Sequence, residues 1–254
     1  MIYIEIMFIM TILIKYIFII KNYDKMLEYY LMAIEKGNPS AMYRLGNYYE
    51  EIKDYNKMLE YYLMAIEKEY SVAMNDLGFY YEEINNYDKM LEYYLMAIEN
   101  GHSSSMSNFG FYYKEIKNYD KMLEYYLMAI EKGNNNAMFN LAEYYRNIKN
   151  YDDMIKYYIM AIENGHINAI FNLGFYYKQI KDYDNMKIYY LMNIEKGDPD
   201  AMHSLAAYYE KLNDNDNAIK YFIMAIDKGN NKSMRSLGLL FKNKKNIMML
   251  LNTF

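Results

Sequence analysis

The sequence predicts an all-α protein built from repeated helical hairpins, and three observations support this prediction. Similar segments, of which YDKMLEYYLMAIE is typical, begin every 32 residues at Tyr23, Tyr55, Tyr87, Tyr119, Tyr151 and Tyr183. Apolar residues in each half of the unit recur at helical spacing. Glycine and polar residues separate the halves at constant positions. We expect an α-solenoid of about seven to eight antiparallel hairpins in one array over residues 1–254.

Each half of the repeat carries an apolar stripe with the period of a helix. In the first half, the spacing i, i+3, i+4, i+7 and i+10 is occupied by Met42, Leu45, Gly46, Tyr49 and Ile52. In the second half, the spacing i, i+4, i+7 and i+8 is occupied by Met58, Tyr62, Ala65 and Ile66. Two such helices with a short connection are expected to be antiparallel neighbours.

The residues between these stripes predict where the helices begin and end. Asp54, and Asn118 in a later copy, are natural N-caps for the second helix. Pro39 and Pro199 fall in the first turn of a first helix, where proline is tolerated. The second helix is expected to end in a left-handed glycine, and glycine recurs there at Gly37, Gly101, Gly133, Gly165, Gly197 and Gly229.

Small residues recur where helices are expected to approach closely. In the first helix they are Gly46, Gly78, Gly110 and Gly174, with Ala142 and Ala206 in two copies. In the second helix they are Ala65, Ala97, Ala129 and Ala161. A larger side chain at either position should overpack the contact and cost roughly 1–3 kcal/mol.

Composition and motifs argue against several classes of function. The net charge is −5 with Lys and Glu interspersed, so nucleic-acid binding is not expected. The chain has no cysteine and lacks phosphate-loop, GxGxxG, GxSxG and HExxH motifs. We interpret His102 and His166 as solvated turn residues. The sequence therefore predicts no catalytic residue, no metal site and no cofactor, and the protein is not expected to be an enzyme.

The repeat resembles the tetratricopeptide repeat, whose signature positions are matched by Met42, Leu45, Gly46, Tyr49, Tyr62 and Ala65. The junction between units resembles the Sel-one-like repeat, through Ala33, Gly37, Ala41, Leu45, Gly46 and Tyr49. The composition and array are similar to repeat proteins of large DNA viruses of amoebae. This resemblance implies a right-handed superhelix, with the first helix of each pair lining a concave groove. It also implies protein binding without chemistry of its own.

The two ends of the chain keep the repeat frame. We divide the array into a degenerate N-terminal repeat over residues 1–38, six regular repeats over 39–230, and a truncated C-terminal repeat over 231–254. The apolar stretch of residues 1–20 also has nearly the length of a membrane span, which leaves a signal anchor as the alternative.

The copies disagree mainly at first-helix positions that the family turns toward the groove. Phenylalanine supplies apolar contact area, and an asparagine amide suits the backbone of an extended peptide. We expect a peptide-binding groove at Phe79, Phe111, Phe139, Phe171 and Phe175 with Asn108, Asn140 and Asn172. The alternative is that these Phe side chains pack between hairpins and that the Asn side chains are solvated.

The leading hypothesis is a cytoplasmic scaffold or adaptor, in a host cell if the viral resemblance holds, that binds a protein or peptide partner. One alternative is an adaptor tethered to a membrane through residues 1–20, and another is a helical-repeat RNA binder. The Tyr–Met stripe of the second helices, such as Tyr61 and Met64, is either an amphipathic shell or a self-association surface.

Overall fold

The computed structural model describes residues 22–251, with side chains from residue 22 to residue 242. This part of the chain consists of helices joined by short turns and contains no strand. The first helix, α1, covers residues 22–35. The others are α2 Pro39–Glu51, α3 Tyr55–Ile66, α4 Ser71–Glu83, α5 Tyr87–Glu99, α6 Ser103–Glu115, α7 Tyr119–Glu131, α8 Asn135–Asn147, α9 Tyr151–Glu163, α10 Ile167–Gln179, α11 Tyr183–Glu195, α12 Pro199–Lys211, α13 Asn215–Asp227 and α14 Asn231–Leu251.

Successive helices pair as hairpins, which confirms the predicted all-α repeat fold. Within the described residues, α2 packs on α3, α4 on α5, α8 on α9, α10 on α11 and α12 on α13. The chain divides into two compact units with a boundary between Ala129 and Ile130, hereafter unit 1 and unit 2. The assignment of residues 1–254 to a single array stays a prediction.

The predicted caps and turns are present. The Asp54 side chain accepts a hydrogen bond from Lys57 N at 3.2 Å at the start of α3. Gly133 has a φ of +77° after α7, in the left-handed region predicted for this column of glycines. The same conformation occurs without glycine at Glu69 and, inside the hairpins, at residues such as Lys53. These left-handed turns were not predicted.

The core of each unit is built from the predicted stripes. In unit 1 it includes Met58, Tyr62, Leu77, Met90 and Tyr94, all almost completely buried. In unit 2, Met186, Tyr190, Ala201 and Leu205 form one cluster, and Ala206, Ala218, Phe222 and Leu240 form another. Ile52, expected in the apolar stripe, is instead the C-cap of α2 and is 53% exposed. The stripe reaches solvent there because α2 ends before Ile52 can face the core.

The C-terminal repeat differs from the expected hairpin. The turn at Lys53 and Asp54 would recur in frame at Lys245 and Asn246, but α14 continues from Asn231 to Leu251. Lys and Asn do not by themselves break a helix, whereas the left-handed turn costs about 1–2 kcal/mol that packing must offset. The assignment of residues 231–254 to a truncated repeat stays a prediction.

Residues 1–20, which carry the alternative of a membrane anchor, lie outside the described residues. None of the described helices combines the length and the apolar character that a membrane crossing requires.

Candidate binding surface

The candidate phenylalanines lie on first helices and fall into two groups. Phe79 on α4, Phe111 on α6 and Phe175 on α10 are 50%, 42% and 41% exposed. Phe139 on α8 and Phe171 on α10 are half-buried. The exposed rings are available for contact with a partner because the core does not need them.

Phe139 and Phe171 pack against the second helix of their own hairpin. The centroid of the Phe139 ring is 5.9 Å from that of Tyr158, and the centroid of Phe171 is 5.8 Å from that of Tyr190. Phe139 also stacks on the imidazole of His166, with centroids 4.3 Å apart and planes inclined by 15°. The contact with His166 therefore agrees with packing between hairpins for Phe139, whereas the ring contact of Phe171 lies within its own hairpin.

The candidate asparagines contribute to the links between neighbouring first helices. Asn172 Nδ2 donates a hydrogen bond to Glu143 Oε1 at 2.8 Å. Asn108 Nδ2 donates to Asn75 Oδ1 at 3.3 Å. Asn140 is half-buried on α8. The amides of Asn108 and Asn172 are thus held in place by the fold, which corrects their interpretation as solvated fillers.

Two clefts of unit 2 bring four candidate residues together. The smaller cleft, of about 270 Å³, is lined by Phe139, Asn168, Phe171, Asn172, Asp198 and Asp200. The larger, of about 440 Å³, is lined by Arg146, Asn147, Lys149, Tyr151, Asn172, Phe175, Tyr176 and Gln179. Asn172 lines both clefts. Asn140 lines neither of them, and Phe79, Phe111 and Asn108 belong to unit 1.

Asn172 belongs to a network of hydrogen bonds and one ion pair. This network holds the charged side chains beside the two clefts in defined positions. Glu143 on α8 accepts hydrogen bonds from Asn172 and from the hydroxyl of Tyr158. Arg146 forms an ion pair with the same carboxylate at 2.5 Å. Burial, and then the hydrogen bond to Glu143, raise the pKa of Tyr158, which therefore remains a neutral donor at physiological pH. A ligand would meet a prearranged wall rather than mobile side chains.

Sequence reasoning missed the charged and polar residues that line these clefts. Arg146, Lys149 and Gln179 border the larger cleft, and Asp198 and Asp200 border the smaller one. Arg146 belongs to a column that also varies between copies, and it is occupied by Glu50, Glu82, Lys114, Arg146, Lys178 and Glu210. Comparing repeats at this column would have found it.

The histidines are not the solvated turn residues that we expected. His166 is the N-cap residue of α10 and is half-buried, without a capping hydrogen bond from its side chain. His102 caps α6 by accepting from Ser105 N at 3.3 Å. Burial lowers the pKa of both side chains. They are part of the packing at the junctions between repeats.

The tyrosines of the second-helix stripe mostly pack within their own hairpins. The ring of Tyr93 stacks on that of Tyr81 with centroids 5.5 Å apart and planes inclined by 5°. The same stacking recurs as Tyr49–Tyr61, Tyr113–Tyr125, Tyr145–Tyr157, Tyr177–Tyr189 and Tyr209–Tyr221. This arrangement favours an amphipathic shell, and self-association through the stripe stays a prediction.

Comparison with known proteins agrees with this geometry. The model of the tetratricopeptide repeat matches residues 39–67, 136–164, 167–191 and 199–227. The fold and these matches support a helical repeat protein that is similar to the tetratricopeptide and Sel1-like repeats. A search of curated proteins found no match. The resemblance to viral repeat proteins stays a prediction.

Solved structures share the fold. The protective antigen c5321 of uropathogenic Escherichia coli, which displays an SLR fold, has a TM-score of 0.63 and 23% identity over 84% of this chain. The present chain spans 51% of that antigen. A Sel1 repeat protein from Oxalobacter formigenes has a TM-score of 0.60 and 22% identity, covering 76% of this chain and 89% of its own. PilF of Pseudomonas aeruginosa has a TM-score of 0.58 and 14% identity, covering 81% and 98%.

Proposed function

We propose that this protein is a non-catalytic scaffold or adaptor that binds an extended segment of a protein partner at the two clefts of unit 2. The tetratricopeptide and Sel1 repeat fold generally mediates protein–protein interaction, and its families are typically non-catalytic. The observation that carries the specific proposal is that Asn172 lies between the two clefts, with Phe175 in one and Phe171 in the other.

The residues around the clefts suit a peptide. Phe175 offers an exposed ring for an apolar side chain. Asn147, Asn168 and Gln179 offer amides that can both donate to and accept from a peptide backbone. Phe175 and Tyr151 in the larger cleft are 41% and 42% exposed, so binding there requires no opening of the hairpins.

The test is selection of peptides from a random display library on the full chain, followed by fluorescence anisotropy with the selected peptides. Phe175→Ala should weaken binding about tenfold or more, because buried aromatic anchors dominate such interfaces. Phe241→Ala is the matched control, since Phe241 is 51% exposed on α14 and lines neither cleft. Equal affinity of the two variants for every selected peptide would remove this site.

The other hypotheses have less support. The membrane-tethered adaptor depends on residues 1–20, and a fusion of these residues to a reporter that pellets with membranes would support it. RNA binding is disfavoured by the net charge of −5. The absence of cysteine is compatible with the cytoplasm, where we place the scaffold.

A further inference from the structure

Unit 1 contains a cleft of about 400 Å³ that the proposed function does not use. It is lined by Glu82, Tyr87, Tyr112, Glu115 and Ile116, from α4, α5, α6 and the residue after α6. Its volume lies within the range of about 300–1,000 Å³ that is usual for ligand sites. The rings of Tyr87 and Tyr112 have centroids 6.3 Å apart and planes inclined by 34°. Ile116 is 53% exposed, so the wall is apolar and accessible.

The charge of this cleft is negative and uncompensated by its lining. Glu82 accepts a hydrogen bond from the hydroxyl of buried Tyr94 at 2.9 Å, which orients its carboxylate. Glu115 is exposed at the end of α6. No lysine or arginine lines the cleft, and neither carboxylate forms an ion pair with another described residue.

The same place in unit 2 shows that the fold does not require these carboxylates. A shift of two repeats takes Glu82, Tyr87, Tyr112 and Glu115 to Arg146, Tyr151, Tyr176 and Gln179. All four of the latter line the larger cleft of unit 2. Both tyrosines are kept while one carboxylate becomes a guanidinium and the other an amide. The two tyrosines are therefore constant between the clefts, whereas the charged residues beside them vary. Such variation is expected at positions that determine ligand specificity.

We propose that the cleft of unit 1 binds an arginine side chain of a protein partner. A guanidinium can donate hydrogen bonds to a carboxylate while its plane lies against an aromatic ring. Cation–π contacts to tyrosine already occur in this unit. Lys89 Nζ lies 4.9 Å from the centroid of the Tyr81 ring, and Lys57 Nζ lies 4.8 Å from that of Tyr49. This site is independent of the proposed clefts of unit 2, because it shares no residue with them.

The experiment titrates the ¹⁵N-labelled full chain with the capped peptide Gly-Ser-Arg-Gly-Arg-Ser-Gly and follows amide shifts. Matched peptides carry Gln or Glu in place of Arg. Saturable shifts in α4 and α6 are expected for the Arg peptide alone. Glu82→Gln/Glu115→Gln should weaken binding about tenfold, because two charge pairs are lost. The amide oxygen introduced by Glu82→Gln would still accept from the Tyr94 hydroxyl, so folding is expected to be kept.

The control is Glu92→Gln/Glu124→Gln, two exposed changes on second helices of unit 1 that alter the net charge equally. Affinity should stay within about twofold, since neither residue lines the cleft and exposed charges are screened at physiological salt. The proposal is overturned if the Arg and Gln peptides bind equally, if the Arg peptide causes no saturable shift, or if both double variants lose the same affinity. This test is separate from the test of the clefts in unit 2. The titration with the Arg peptide is expected to give the same result whether or not Phe175→Ala weakens binding of the library peptides.

Discussion

Asn193 is a polar side chain that is completely buried. It is 0% exposed on α11, and neither atom of its amide group has a hydrogen-bond partner in the described structure. The same column elsewhere holds alanine, at Ala65, Ala97, Ala129, Ala161 and Ala225. A buried amide without partners is costly because it loses its hydrogen bonds to water. Asn193 therefore destabilises unit 2.

We predict that Asn193→Ala raises the free energy of unfolding by about 1–3 kcal/mol, because it removes the unsatisfied amide. Urea denaturation followed by circular dichroism measures the shift in midpoint. The reciprocal change Ala161→Asn, also in unit 2, should lower the midpoint. An unchanged midpoint for Asn193→Ala would mean that the amide has partners in solution.

The histidines make stability depend on pH. Burial lowers the pKa of His102, His166 and His203 below its ordinary value. Between the folded and the unfolded pKa, the unfolded chain binds more protons, so stability rises with pH in that window. The contribution is complete above the unfolded pKa of about 6.5 and is lost as the pH falls through the folded values.

We therefore predict that the urea concentration at the unfolding midpoint decreases as the pH is lowered from about 7 to about 5. His166→Asn should reduce this dependence, because asparagine does not titrate and the chain uses it at the equivalent caps Asn38 and Asn134. A pH profile of the variant identical to that of the wild type would exclude His166 as a contributor.

At the scale of the helix pair, glycine on the first helix and tyrosine on the second form one contact. A Cβ atom added at Gly78 would lie 2.6 Å from Tyr94 Cδ1, and one at Gly174 would lie 2.8 Å from Tyr190 Cδ1. The sequence predicts the small residues from their recurrence. It does not identify tyrosine as the partner, because the direction of the ring depends on how the helices cross.

We predict that Gly174→Ala destabilises the protein by roughly 1–3 kcal/mol through overpacking. Gly238→Ala is the control, because Gly238 occupies the same column but a Cβ there meets no atom of the described residues within 4 Å. It should be neutral or stabilise by up to about 1 kcal/mol, since alanine favours a helix over glycine. Thermal denaturation compares the two, and equal effects would contradict the close contact at Gly174.

Helix boundaries follow the sequence wherever a side chain acts locally. Asp54 as an N-cap and Gly133 as a left-handed residue are both predictable, because the cap and the φ angle depend on the residue itself. The left-handed Lys53 and the uninterrupted α14 are not predictable in this way. Neither lysine nor asparagine at these positions decides by itself whether the chain turns.

The residues of the candidate binding surface can be predicted from the sequence, but their contacts cannot. Variation between copies finds Phe175 and Asn172 but cannot show that Asn172 donates to Glu143, since that bond joins different hairpins. It also cannot separate the exposed Phe175 from the ring-packed Phe139. Both distinctions depend on where neighbouring helices lie, which no single repeat encodes.

At the scale of the molecule, stability in a repeat protein is a sum of local terms. We predict that Gly78→Ala speeds amide hydrogen exchange in α4 and α5 and leaves α12 and α13 unchanged. Hydrogen exchange with mass spectrometry resolves these segments. A uniform increase along the chain would indicate that the two units unfold as one cooperative body.

The aromatic frame with exchangeable charge has an evolutionary consequence. An array that grows by copying its coding unit copies the cleft together with the packing. Codons for glutamate become codons for lysine or glutamine by a single base change, so the column from Glu50 to Glu210 can diverge without disturbing the core. Each new copy would then fold with the same aromatic cleft, and a single mutation would change the charge that its ligand must complement. Such a lineage would acquire partners faster than it loses its architecture.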